Sequence, residues 1–264
     1  ELEKQYKKQG ITIMTSSEVL SVDTTGEGVK AKVKTAGGEV VLEADVLLSA
    51  VGVVANIEGI GLEELGIKTE KGKIIVDANG QTNVAGVYAI GDCAQFDQGT
   101  NGRRNIEQVW YTGKIMGEIL AENITGKRCE YNPGYWFNSA KFFDIEYQTY
   151  GWVWAQPKDN EARFYWEHGN GNKSIHLNYD KNTREFNGIN NFGIRMRHEF
   201  FDKALTEKQS VDYVLEHLAD ANFDPEFYKL HEKEIVSKFN TENEDHILSF
   251  IRIEVKIIAN FFVR

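Results

Sequence analysis

The chain has 264 residues, enough for one large domain or two ordinary ones, and 41% of them are hydrophobic, enough to build a core. A formal net charge of −10 argues against nucleic acid and against anionic membrane surfaces, both of which need clustered Lys and Arg. The only cysteines, Cys93 and Cys129, form no C-x-x-C pair, and no long uncharged apolar run marks a membrane span. A cytoplasmic protein without a disulfide framework is expected.

Residues 1–9 carry a charged amphipathic pattern closed by Gly10, which predicts a helix. ITIMT (11–15) reads as a strand, and SEVLSVD, GVKAKVKT and EVVLEA read as a meander separated by Gly26-Glu27-Gly28 and Gly37-Gly38. DVLLSAV (45–51) is a nearly unbroken apolar run, the pattern of a strand buried on both faces of a parallel sheet. KIIVD and GVYAIGD, within 73–92, give two more strand signals. A helix is predicted over 106–121, with Asn105 as its cap and Gly113 and Gly117 one turn apart, where another backbone can approach.

Beyond Cys129 the composition shifts to Trp, Tyr, Phe, Asn and Gly, so a second domain, of α+β type, is expected from there. KSIHLNYD and REFNGINNFGI read as antiparallel strands joined at Lys181-Asn182, and 207–219 and 225–239 read as helices. Ile251–Ile257 alternates apolar and charged residues as a one-faced strand does, in a tail (246–264) of open assignment.

The chemistry-bearing stretch is 44–92. It holds Ala50-Val51-Gly52 followed by Asn56, then Thr82, Ala85-Gly86, four apolar-leaning residues and Gly91-Asp92. A glycine there lets a backbone lie flat against a ligand, and the Asp supplies two acceptor oxygens for hydroxyl groups. Gly-Asp after a strand is by itself an ordinary turn. Gly59-Ile60-Gly61 is no dinucleotide fingerprint, because Glu64 stands where a third glycine belongs.

Taken together, these spacings resemble the second half of the FAD-dependent pyridine nucleotide-disulfide oxidoreductases, the two-dinucleotide-fold flavoproteins. The closest style is that of the NADH–rubredoxin and ferredoxin reductases. The resemblance implies an α/β fold that is a partial two-dinucleotide-fold flavoprotein, followed by a smaller α+β domain. Residues 1–56 would end the NAD(P)H domain, 57–128 would be the C-terminal segment of the FAD domain, and 129–245 would form the third domain. It implies that Gly91 and Asp92 hold the flavin ribityl chain, with Val51 and Gly52 at the return to the FAD domain. Gln108 and Val109 would lie near the pyrimidine end of the ring, at a helix N-terminus whose dipole favours negative charge. Trp136 and Phe137, in YNPGYWFNSAKFFDIEYQTYGWV, would pack by the flavin, although an aromatic pair is commonly plain core.

The implied activity is oxidation of NAD(P)H through FAD, with electrons passing to an acceptor such as a small iron–sulfur protein. The alternatives are a disulfide reductase of the same superfamily and a non-catalytic subunit that binds no flavin alone. Val53-Val54-Ala55 departs from the basic residues and proline common before Asn56, and both glycine-rich dinucleotide loops are absent. The resemblance therefore implies a C-terminal part of a longer protein, with an N-terminal half on the same or another chain and a homodimer as a further possibility. No His precedes a Pro, unlike the His-Pro base of the disulfide reductases, and the spacing shows neither a metal-binding His pair nor an assignable catalytic residue.

Overall fold

The computed structural model describes residues 2–99, 102–223, 229–243 and 248. They fall into two compact units, one running through Gln98 and resuming at Asn105–Tyr131, the other made of Gly99–Arg104 and the described residues from Asn132 onward. The architecture is mixed α/β.

In the first unit, α1 (Leu2–Lys8) ends just before Gly10, whose φ of +76° suits a helix stop. β1 (Glu18–Asp23), β2 (Val29–Thr35) and β3 (Gly38–Ala44) form the expected antiparallel meander. β2 alternates cleanly: Ala31 and Val33 are buried, while Lys30 and Lys32 point outward and pair with Glu43 at 2.8 Å and Glu39 at 2.7 Å. A second sheet has the order β4 (Thr69–Glu70), β5 (Lys73–Val76), β6 (Ala94–Phe96), with β5 and β6 parallel. The helix α2 spans Trp110–Ile124 and buries Met116 in a cluster with Ile74, Val76 and Ala94.

Three strand expectations fail here. Residues 11–15 form no strand. DVLLSAV forms none either; Val46, Leu48 and Val51 are 80%, 87% and 96% exposed. A central strand needs a hydrogen-bonding neighbour on each edge, and no described strand pairs with this run. GVYAIGD is reduced to a bridge between Tyr88 and Gln81 and a 3₁₀ turn at Gly91–Cys93, because the parallel partner of β5 is the next segment, β6. Asn105 does not cap α2. The residue at that position is Val109, with no side-chain cap.

The second unit is built on a five-stranded antiparallel sheet, β7-β8-β11-β10-β9. Its strands are β7 (Phe137–Phe142), β8 (Ile145–Gly151), β9 (Glu161–Glu167), β10 (Ser174–Asp180) and β11 (Phe186–Phe192). Registers of Leu177 with Phe164 and with Ile189 align a row of apolar side chains across one face. That face packs on α3 (His198–Thr206), α4 (Val211–Glu216) and α5 (Glu232–Glu242) through Phe201, Leu215, Ile235 and Phe239. Gly188 is required by space: a Cβ there would lie 2.6 Å from the Trp152 nitrogen.

The helix expected over 207–219 starts later, at α4, because the Ser210 hydroxyl caps it by accepting from the Tyr213 N–H at 3.1 Å; a 3₁₀ turn follows at Leu218–Ala221. The helix expected over 225–239 is observed as α5, its first positions and the Ile251–Ile257 strand lying outside the described residues. The first two strands of the sheet, β9 and α3 were not legible as elements, since their aromatic and polar residues show neither period clearly.

Phe239 is fully buried between Phe164, at 5.2 Å edge-to-face, and Tyr179. Phe239→Ala is expected to destabilise the chain by roughly 3–5 kcal/mol, measured by chemical denaturation. His176 is held below the ordinary histidine value of 6.5 by burial and then by the Arg163 guanidinium. The unfolded chain therefore takes up that proton first as pH falls. The denaturation midpoint is expected to drop from about pH 6.5 downward until the folded imidazole titrates, and to drop less steeply in His176→Gln.

Candidate functional site

The site is assembled by the loop between β5 and β6. Asp77 opens it with an Asx turn, its Oδ1 accepting from the N–H of Asn79 at 2.8 Å and of Gln81 at 2.9 Å. Thr82 then closes a tight hairpin: its N–H and its hydroxyl both donate to the Val87 carbonyl at 2.9 Å, and its oxygen accepts from the Val84 N–H. The Ala89 N–H returns to the Gly80 carbonyl at 3.0 Å, which delivers the chain to Gly91.

Gly91 has φ +75°, and a Cβ built on it would meet nothing within 4 Å. Its backbone is thus left-handed and open on that side, a surface a flat ligand can approach. The Asp92 carboxylate is exposed and makes no hydrogen bond or ion pair among the described residues. Its carbonyl, by contrast, is doubly held: Lys73 Nζ donates to it at 3.1 Å and Gln108 Nε2 at 3.4 Å. Lys73 is only 7% exposed. Sequence reasoning missed it; its one signal is a lysine leading the otherwise apolar strand KIIV.

Gln108 Nε2 also donates to the Val53 carbonyl at 3.4 Å. One amide therefore ties the Val51-Gly52-Val53 stretch to the Gly91–Asp92 turn, two segments picked out separately in the sequence. Val51 itself is exposed, and Gly52 has φ +143° with open space around it. α2 begins beside the same turn. The Gly91 N–H points at Met116 Sδ at 3.1 Å, and a Cβ on Gly113 would come within 3.8 Å of the Gly91 Cα. No side chain caps this helix start, so its dipole end is not neutralised locally. An open glycine backbone, a free carboxylate and an uncapped helix start fit the ribityl and pyrimidine portions of a flavin. A polar cavity of about 360 Å³ borders the first part of the same loop, lined by Asp77, Asn79, Tyr88 and Arg128, and none of the predicted site residues borders it.

Trp136 and Phe137 belong to the second unit, and both are half-buried there. Trp136 stacks on Trp152 at 6.1 Å with the Arg103 guanidinium 5.3 Å above its ring, and Phe137 lies 4.1 Å from the His198 ring.

Residues 1–114 match the family described as pyridine nucleotide-disulphide oxidoreductase. A dihydrolipoyl dehydrogenase of Rhizobium etli is 49% identical over 92 residues, 34% of this chain and 19% of that protein. A leghemoglobin reductase of Glycine max is 42% identical over 95 residues, 35% of this chain and 18% of that one. Among solved structures, an NAD-dependent persulfide reductase from A. fulgidus aligns with TM-score 0.72 at 22% identity, over 92% of this chain and 47% of its own. A ferredoxin reductase from Rhodopseudomonas palustris aligns with TM-score 0.65 at 21% identity, over 80% and 49%. These two likenesses are of fold.

The match to the pyridine nucleotide-disulphide oxidoreductase family covers residues 1–114, less than half of the chain. That is a family of FAD- and NAD(P)H-dependent oxidoreductases, as the motifs around Gly91-Asp92 implied. The matched segments span about a fifth of the curated relatives, and the fold likeness about half of the solved chains.

Proposed function

We propose that this chain is the flavin-cradling C-terminal portion of an enzyme that oxidises NAD(P)H and passes the electrons to an acceptor other than lipoamide, a small iron–sulfur protein being the first candidate. The observation that carries the reading is the Gly91–Asp92 turn, open on its glycine face and pinned from behind by Lys73 and Gln108. FAD, when bound, supplies the hydride acceptor and the electron relay.

The chain's own residues do the holding. Gly91 keeps the surface beside the turn clear of any side chain. Asp92 accepts hydrogen bonds from ribityl hydroxyls with a carboxylate that no group among the described residues occupies. Gln108 and Val109 border the start of α2, whose N-terminal N–H groups favour negative charge at the pyrimidine end. Lys73 adds positive charge behind the Asp92 carbonyl and keeps the turn from opening. Partners in the proposal are an electron-acceptor protein and a second copy or N-terminal half that completes the dinucleotide sites.

A second reading, a disulfide reductase, is favoured by the curated relatives named dihydrolipoyl dehydrogenase. Against it, none of the histidines precedes a proline.

In the full-length protein, Asp92→Ala is expected to lower flavin occupancy at limiting FAD, since a charge-assisted hydrogen bond contributes roughly 1.5–3 kcal/mol. Visible flavin absorbance after dialysis reads the result, and full retention would remove Asp92 from the site. Steady-state NAD(P)H oxidation separates the acceptors. Turnover with an iron–sulfur protein and negligible turnover with lipoamide is expected; the reverse preference would establish the disulfide reading.

A further inference from the structure

We propose that His168, His231 and Glu234, in the second unit, form a site for one divalent first-row transition metal ion, with Zn²⁺ as the natural probe. His168 is far in sequence from His231, and Glu234 follows His231 by three positions, so no spacing motif announces them. The fold brings them together. His168 sits in the turn between β9 and β10, His231 immediately precedes α5, and Glu234 lies in the first turn of α5. One ligand atom from each lies within 4.8 Å of the others.

Four observations point to a ligand rather than to plain packing. His231 is 3% exposed, yet its Nδ1 is buried without a hydrogen-bond partner among the described residues. An imidazole nitrogen left so is costly unless something binds it. The Glu234 carboxylate lies 3.8 Å from that nitrogen, beyond hydrogen-bond reach but close enough to share an ion. His168 meets His231 edge-to-face at 5.0 Å, so the two rings border one space. His168 Nδ1 faces Asn170 Oδ1 at 2.7 Å. The Asn170 backbone N–H also reaches this nitrogen, at 3.3 Å, so the loop holds the ring by Nδ1; in the tautomer that donates to Oδ1, Nε2 keeps its lone pair for an ion.

The donor set decides the class of ion. Two imidazoles and one carboxylate suit Zn²⁺ or its neighbours, whereas Ca²⁺ and Mg²⁺ require mostly oxygen. Tetrahedral zinc needs bonds of about 2.0–2.1 Å, so the ligand atoms must close in by about 1 Å. Glu234 is exposed and His168 is half-buried on a hairpin turn, so both can move; His231 is the fixed point. With three protein ligands, the fourth position falls to water.

Lys173 opposes binding in a definite way. Its Nζ lies 3.1 Å from His231 Nε2. While the ammonium donates there, the ring hydrogen must reside on Nδ1. A metal on Nδ1 requires that hydrogen to move to Nε2, and Lys173 to swing away, which also removes a positive charge from beside the ion. The lysine therefore acts as a competing cation that sets the affinity.

The test uses the full chain. Titration with Zn²⁺ by calorimetry is expected to saturate at one equivalent and to raise the thermal midpoint, because the ion ties the β9–β10 turn to α5. Co²⁺ should give the visible bands of a low-symmetry nitrogen–oxygen site. His168→Ala and Glu234→Gln, both on partly or fully exposed positions, should each weaken binding by more than about tenfold with the circular dichroism of the native fold. Lys173→Met should tighten it by about tenfold. No saturable binding by the native chain and by Lys173→Met would overturn the proposal. So would binding that survives His168→Ala undiminished, which would place the ion on other groups such as Cys93 or Cys129.

Discussion

The first unit converges on a single carbonyl. The Asp92 oxygen accepts from a buried lysine ammonium at 3.1 Å and from the Gln108 amide at 3.4 Å, and the same amide reaches the Val53 carbonyl. A carbonyl held from two sides fixes the peptide that follows Gly91, and hence the direction in which the Asp92 carboxylate projects. It also explains how an exposed, unladdered stretch such as Val51-Gly52-Val53 keeps a defined place: it is held by a side chain where strand hydrogen bonds are lacking. β5 contributes on both faces of this arrangement. Ile74 and Val76 bury into the apolar cluster while Lys73, at the strand's first position, reaches the turn.

The second unit depends on a different device. Its apolar face is closed by Phe164, Phe186, Phe201 and Phe239, all fully buried. The register of that face against the helices is set by polar groups. Gln148 on β8 accepts from the Met196 N–H at 2.7 Å and from Asn191 Nδ2 on β11 at 3.0 Å, and donates to the Met196 carbonyl at 3.0 Å. One buried amide thus joins two strands and the segment leading into α3. Such a network is worth its burial because nearly every member is satisfied, and it leaves a one-residue slip no alternative partner set. Arg184 does comparable work at the other end of β11, bonding the Asp212 carboxylate through Nε at 2.6 Å while its guanidinium lies over Tyr179.

Much of this was legible in the sequence where local rules act alone. The meander β1–β3 follows from alternation and from the glycine turns between its strands, and β10, β11 and α5 follow from period and composition. Glycine followed by Asp after an apolar run, with Ala-x-Gly upstream, was enough to mark the turn and the family that residues 1–114 match. The run 45–51 misled for a definite reason. Its hydrophobicity describes what a strand needs around it, and hydrophobicity cannot say whether the neighbouring strands are there to pair.

What the sequence by itself determined is therefore the identity of the reactive groups: the open glycine, the free carboxylate, and the polar-aromatic change of character after Cys129. Only the tertiary structure decided which groups meet. Lys73 behind Asp92, Gln108 between Val53 and Asp92, and His168 against His231 are all contacts between residues on different elements. Such contacts depend on how loops close and sheets register, which is set by the summed packing of the whole unit. No window of sequence contains that sum, so the partners of a side chain appear only once the chain has folded.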